Sequence, residues 1–117
     1  VSFATMSQEP EWFTTAPAPS MQKALGRAGW KVAEVDLFEI NEAFACVAMA
    51  AMQDLGLRHD QLNVNGGACA LGHPVGATGA RIITTLLYAL RKRGLRRGVA
   101  SQCIGGGEAC AVAIELL

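Results

Sequence analysis

The sequence has no excess of charge of either sign: ten Lys and Arg stand against ten Asp and Glu among 117 residues, and the pI is near neutral. Binding to nucleic acid or to an anionic membrane surface begins with clustered cations, so neither partner is expected. The one basic cluster, Arg91, Lys92, Arg93, Arg96 and Arg97, reads as the end of a helix, where cations offset the macrodipole. Charged residues are scarce at 17% and hydrophobic ones reach 51%, a balance that fills a core rather than one that leaves a chain disordered. Long apolar runs are also missing. The longest, Ala43 to Met52, has ten residues, half of the roughly 20 that a bilayer requires. The four cysteines lack CxxC spacing, and His59 and His73 have no third ligand at a helical interval, so no zinc site is expected. No leader-like segment opens the chain, and its start at Val1 reads as a cut within something longer. The thiols are therefore expected to be reduced, in the cytoplasm or an organelle.

What is present alternates between β-prone and helical stretches. Val1 to Thr5 reads as the end of a strand. After a loop with Pro10 and Pro17, Pro19 and Ser20 suit a helix start, Met21, Ala24, Leu25 and Ala28 share one face, and Gly29 is placed to end the helix. Val35 to Ile40 is a short strand that runs into Asn41 and a helix of small and apolar residues to about Leu55. Being apolar all round, this helix is expected to be central, or to face another domain. Leu62 to Asn65 reads as a third strand. A glycine-rich loop leads into a helix to about Arg93, with Ile82, Ile83, Leu86, Leu87 and Leu90 at three- and four-residue steps and Gly94 at its end. Val99 to Ile104 and Ala109 to Leu116 are two strands joined by Gly105, Gly106 and Gly107. The order β-α-β-α-β-α-β-β predicts one α/β domain over residues 1–117, a five-stranded mixed sheet with helices on both faces and an antiparallel final pair. Ligands in such sheets bind beyond the carboxyl ends of the strands, which directs attention to the loops after Ile40, Asn65 and Ser101.

Each loop carries a candidate. Five glycines fall between Gly66 and Gly79. The stretch matches neither the phosphate-binding P-loop nor the dinucleotide fingerprint, but it holds His73 immediately before Pro74, whose ring limits the backbone of the residue before it. His73 is either an immobilised functional imidazole or a turn residue bonded to a carbonyl. Cys103 sits at a strand end ahead of three glycines, whose backbone N–H groups are open to an oxyanion. A free thiol titrates near 8.5 and is a useful base only beside a group that stabilises its thiolate. Asn41, at a strand-to-helix junction with Glu39 and Glu42, is either a helix cap or a site amide.

Taken together, Asn41-Glu42-Ala43-Phe44-Ala45, Gly67-Ala68-Cys69-Ala70-Leu71-Gly72-His73-Pro74 and Cys103-Ile104-Gly105-Gly106-Gly107 resemble the three C-terminal signatures of the thiolases, in the family's order and spacing. The likeness runs along essentially the whole chain and corresponds to that family's C-terminal domain. Thr78 stands where Ser is common, and Glu108-Ala109-Cys110 replaces a more glycine-rich continuation.

The resemblance implies an acyltransferase that makes or cleaves a carbon–carbon bond between acyl groups carried as coenzyme A thioesters, with no covalently bound cofactor. It implies that an N-terminal domain supplies the nucleophilic cysteine, that His73 assists formation of its thiolate, and that Cys103 exchanges the α-proton of the second thioester. One oxyanion hole would use His73 and a water held by Asn41; the other would use the Gly105 N–H. Phe44 would line the acyl pocket. The isolated chain is expected to be inactive, and the complete protein to form a homodimer or homotetramer. The contrasting expectation is a non-catalytic scaffold or lipid-carrier relative that keeps only the fold.

Overall fold

The computed structural model describes residues 1–117. Strands β1 (Ser2–Ser7), β2 (Leu37–Ile40), β3 (Arg97–Cys103) and β4 (Glu108–Glu115) form one sheet in the order β1-β4-β3-β2. β2 and β3 run parallel, whereas β4 is antiparallel to both β3 and β1. Helix α1 (Pro17–Ala28) connects β1 to β2. Helices α2 (Ala45–Leu55), α3 (Ala68–Leu71) and α4 (Thr78–Arg93) make up the crossover from β2 to β3.

Helices cover both faces, as the alternating pattern predicts. Phe38 and Ile40 of β2 join Met21, Ala24 and Leu25 of α1 and Val47 and Ala51 of α2 in one buried cluster. Leu37, on the opposite side of the same strand, packs with Ala100 and with Ile82, Leu86, Ala89 and Leu90 of α4. This division follows from the two-residue period of a strand. α4 lies so close to the sheet that a β-carbon on Gly98 would fall 2.8 Å from Leu86 Cδ1. α1 and α4 end as expected, at Gly29 and Gly94 in the left-handed region, where Trp30 N–H and Leu95 N–H close onto Leu25 O and Leu90 O. These are Schellman closures with an apolar residue following the glycine.

Three expectations need correction. The sheet has four strands, not five: Leu62 makes only an isolated bridge to Phe38, and the order becomes β-α-β-α-α-α-β-β. The reason is Asn63. Its N–H donates to Phe38 O (2.9 Å), its backbone then turns to φ 46°, and its side chain takes over the pairing, with Ile40 N–H donating to Oδ1 (2.8 Å) and Nδ2 donating to Ile40 O (2.9 Å). One amide side chain thus satisfies the edge of β2 that a fifth strand would have covered.

The second correction concerns Asn41, which does not cap a helix. Its N–H donates to Ser101 O at 2.9 Å, continuing the β2–β3 ladder, and α2 begins only at Ala45 with Phe44 as the extended residue before it. The third concerns α2. Only Val47, Ala48 and Ala51 are buried, while Cys46 and Met49 are exposed, so the helix is not central in this chain but carries an uncovered apolar face.

The β3–β4 turn is anchored across the sheet. Gly107 has φ 94°, Gln8 N–H donates to Gly107 O at 3.0 Å, and a β-carbon on Gly107 would collide with the Gln8 carbonyl oxygen. Gly107→Ala combines left-handed strain with that collision and is expected to cost about 1–3 kcal/mol or more, measured by denaturant unfolding of the complete protein. An unchanged midpoint would show that the turn is not held in this way.

Candidate active site

The site starts from the register of β2 and β3. Because the strands are parallel and pair Ile40 with Ser101, their carboxyl ends, and the residues that follow them, lie at one edge of the sheet. Asn41 comes next on β2 and is 2% exposed. Cys103 closes β3 two residues beyond Ser101.

The glycine-rich segment brings in the imidazole. After the Asn63 turn, the four-residue helix α3 rises from Gly67 and is closed by Gly72 N–H donating to Ala68 O. His73 follows directly and is exposed. Its Nε2 lies 3.5 Å from Asn41 Nδ2, and its Nδ1 lies 2.6 Å from Thr78 Oγ1. Thr78 is buried, and its hydroxyl donates to Pro74 O at 3.1 Å. With that proton committed, the hydroxyl oxygen accepts from His73 Nδ1–H. The neutral ring is therefore assigned the tautomer with a bare lone pair on Nε2, facing the Asn41 amide. An imidazole so oriented is ready to take a proton at Nε2 and, once protonated, to donate one to an oxyanion.

Cys103 is half-buried, and its side chain packs on the larger core cluster. Burial pushes its thiol above the ordinary value; its own backbone N–H partly offsets this, and neighbouring Cys46 pushes it further up. The shift favours the thiol, a proton donor, over the thiolate. In the following turn Ile104 N–H donates to Glu108 O and Gly107 N–H to Ile104 O, while the Gly105 N–H has no partner within the chain and a Cβ at that position would meet open space. Phe44 is 59% exposed, with its ring edge-on to Phe13 at a centroid distance of 6.2 Å.

Thus the fold puts Asn41 and His73 in direct contact and sets Cys103, at the end of β3, and the Gly105 N–H, in the turn that follows, at the same sheet edge; Phe44 stands at the head of α2 against Phe13. The surface is a shelf rather than an enclosure. A cleft of about 480 Å³, lined by Met49, Met52, Gly67 and Cys69 among others, lies next to it but is not lined by Asn41, His73 or Cys103.

Sequence reasoning missed Asn63 and the part played by Glu42. Glu42 Oε1 accepts from Asn63 Nδ2 (3.0 Å) and Oε2 from Cys69 N–H (2.9 Å), and the carboxylate packs onto Gly67 so closely that a β-carbon there would overlap it. Burial opposes the Glu42 charge, but these donors, with the Cys69 thiol, outweigh it and draw the pKa below its usual value. No local signal marked this contact, because Glu42 and Gly67 stand 25 residues apart in the sequence. Glu39, on the α4 side of β2, is different: burial and the Glu42 charge push its pKa up to about 7, against the pull of Arg81, and its Oε1 has no hydrogen-bond partner.

With this geometry established, comparison with known proteins decides the family. Residues 1–116 match the family model described as the thiolase C-terminal domain. The chain belongs to the thiolase family. It is 53% identical over its full length to the acetyl-CoA acetyltransferase of Shinella zoogloeoides, of which it covers 30%. It is 48% identical over 115 residues to the cytosolic acetyl-CoA acetyltransferase of Mus musculus, covering 98% of this chain and 29% of that one. The crystal structure of the Bacillus anthracis acetyl-CoA acetyltransferase superposes on the whole chain with a TM-score of 0.97 at 43% identity, covering 30% of that protein. This thiolase domain therefore spans about three-tenths of the length of these relatives, and none of its helices is long and apolar enough to cross a membrane.

The two carboxylates predict opposite pH dependences. Glu42, with a depressed folded pKa, contributes stability that is complete above its unfolded value near 4.5 and is lost as pH falls through the folded value. Glu39, raised to about 7, favours the folded state fully below 4.5, and that contribution is lost as pH rises through about 7. In thermal melts of the complete protein, Glu39→Gln is expected to raise the melting temperature above pH 7 relative to pH 5. Equal shifts at both pH values would refute a neutral buried Glu39.

Proposed function

We propose that this chain is the C-terminal catalytic domain of an acetyl-CoA acetyltransferase, or more broadly a 3-ketoacyl-CoA thiolase, completed by an N-terminal domain that carries the nucleophilic cysteine. The observation that carries the reading is the Asn41–His73 pair, with the Nε2 lone pair facing the Asn41 amide and the imidazole held from behind by Thr78, on the sheet edge that also bears Cys103 and Gly105.

In the cleavage direction, His73 Nε2 takes the proton of the partner domain's thiol as its sulfur attacks the 3-keto carbon. The tetrahedral oxyanion then collapses, the Cα–Cβ bond breaks, and its electron pair forms the enolate of acetyl-CoA. Cys103, a thiol whose pKa burial pushes above its ordinary value, gives its proton to the enolate carbon. The thiol of free coenzyme A then gives its proton to the Cys103 thiolate as its sulfur attacks the acyl carbon, and the nucleophilic cysteine leaves as a thiolate that recovers its proton from His73. In the synthetic direction Cys103 instead removes the α-proton of acetyl-CoA.

The enolate oxygen is stabilised by His73 Nε2–H and a water held by the Asn41 amide. The tetrahedral oxyanion is stabilised by the unpaired Gly105 N–H with a donor from the partner domain. Such donors stabilise charge that develops only in the transition state. Phe44 lines the acyl pocket. Coenzyme A thioesters are substrates, no covalently bound cofactor takes part, and the complete protein is a homodimer or homotetramer of the cytoplasm or an organelle. The retained Asn41, His73 and Cys103 favour this reading over a non-catalytic scaffold.

The test follows cleavage of acetoacetyl-CoA by free coenzyme A in the complete protein and its variants. Cys103→Ala and His73→Ala are each expected to lower kcat by about 10²–10³-fold or more, as loss of a transition-state donor does, and residues 1–117 alone are expected to give no turnover. Native-like turnover in either variant would remove that residue from the mechanism.

A further inference from the structure

Asn41 is held on both sides by groups that take no part in the chemistry described above. Before it, the Asn63 side chain bonds both the N–H and the C=O of Ile40. After it, Glu42 bonds the same Asn63 side chain through Oε1 and the first turn of α3 through Cys69 N–H. His73 lies just beyond the other end of α3, behind the Gly72 closure onto Ala68. A continuous hydrogen-bonded path therefore runs Ile40–Asn63–Glu42–Cys69; Asn41 follows its first residue in the chain, and His73 comes four residues after its last.

Two further features fit a brace and not a surface accident. Asn63 is the only non-glycine residue at positive φ, a conformation that persists when surrounding structure over-determines it. A β-carbon on Gly67 would overlap the Glu42 carboxylate, so the glycine is what lets the carboxylate lie against this loop.

We propose that Glu42, acting through Asn63 and α3, is a positioning residue that sets the separation between the Asn41 amide and His73 Nε2, and that this separation limits the chemical step. The proposal rests on the thiolase reading above. Both partners of the Glu42 carboxylate are hydrogen-bond donors. A carboxylate answers both, whereas the amide of Glu42→Gln presents a donor to one of them and breaks the path at that point. The brace carries a His-bearing loop, so an ångström of slack at its base is transmitted to the imidazole.

The experiment uses the complete protein and acetoacetyl-CoA cleavage, with activity expressed per mole of folded enzyme. Glu42→Gln is expected to lower kcat by about 10–100-fold, the scale of a misplacement of roughly 1 Å, while KM changes by less than about threefold, because the lost term belongs to the transition state. Glu42→Asp keeps the charge but is one methylene shorter, and is expected to give an intermediate loss; it also serves if the glutamine variant does not fold. Introduced into Asn41→Ala, Glu42→Gln is expected to cost less than threefold more, since there is no longer an amide to place. A purely structural Glu42 would leave kcat per folded molecule unchanged, or its loss would multiply undiminished with that of Asn41→Ala, and either result overturns the brace. Absence of turnover by the native protein would instead overturn the thiolase reading, and the brace with it.

Discussion

The two hydrogen bonds between the Asn63 amide and the backbone of Ile40 are the constraint on which the functional end of this domain depends. β2 has only four residues, and one of its edges faces no full strand. Left unpaired, the buried N–H and C=O at its end would each carry a desolvation penalty of about 1–3 kcal/mol, and the end would fray just where Asn41 begins. Side-chain pairing closes that edge, lets the chain leave the sheet within one residue, and frees the following segment to run through Gly66 and Gly67 into α3 and His73.

Electrostatics reinforce the same point from both sides of β2. Glu42 is an ionised carboxylate that pins two loops together through donors aimed at it, whereas Glu39 is buried among the side chains of β2 and α4 and is pushed toward its neutral form. Two acids three residues apart differ because one meets N–H groups and the other meets hydrocarbon and a like charge. The apolar outer face of α2, with Met49 and Phe44 exposed, and the shelf-like site fit a domain whose relatives are more than three times its length.

Much of the fold was legible because it rests on local rules. The apolar steps of α4, the glycine ends of α1 and α4 and the glycine turn between β3 and β4 are short-range signals that the structure retains. The fifth strand was not legible, because Leu62 to Asn65 has strand-like composition, and only the meeting of the Asn63 side chain with Ile40, 23 residues away, decides that the amide and not the backbone does the pairing. The start of α2 was missed for a related reason: Asn41 suits a helix cap locally, but its N–H is taken by Ser101, on a strand 60 residues downstream.

The candidate site divides in the same manner. Sequence by itself determined which side chains are candidates for the chemistry, since an amide at a strand end, a histidine before proline and a cysteine before glycines are properties of short segments and of the family they resemble. The tertiary structure decided what surrounds them: that Thr78 fixes the histidine tautomer, that burial pushes the Cys103 thiol above its ordinary value, and that Glu42 and Asn63 join two of the loops. The physical reason is range. Helix ends and turns are set by interactions within a few residues, whereas proton positions and loop spacing depend on groups brought together only when parallel β2 and β3 align their ends.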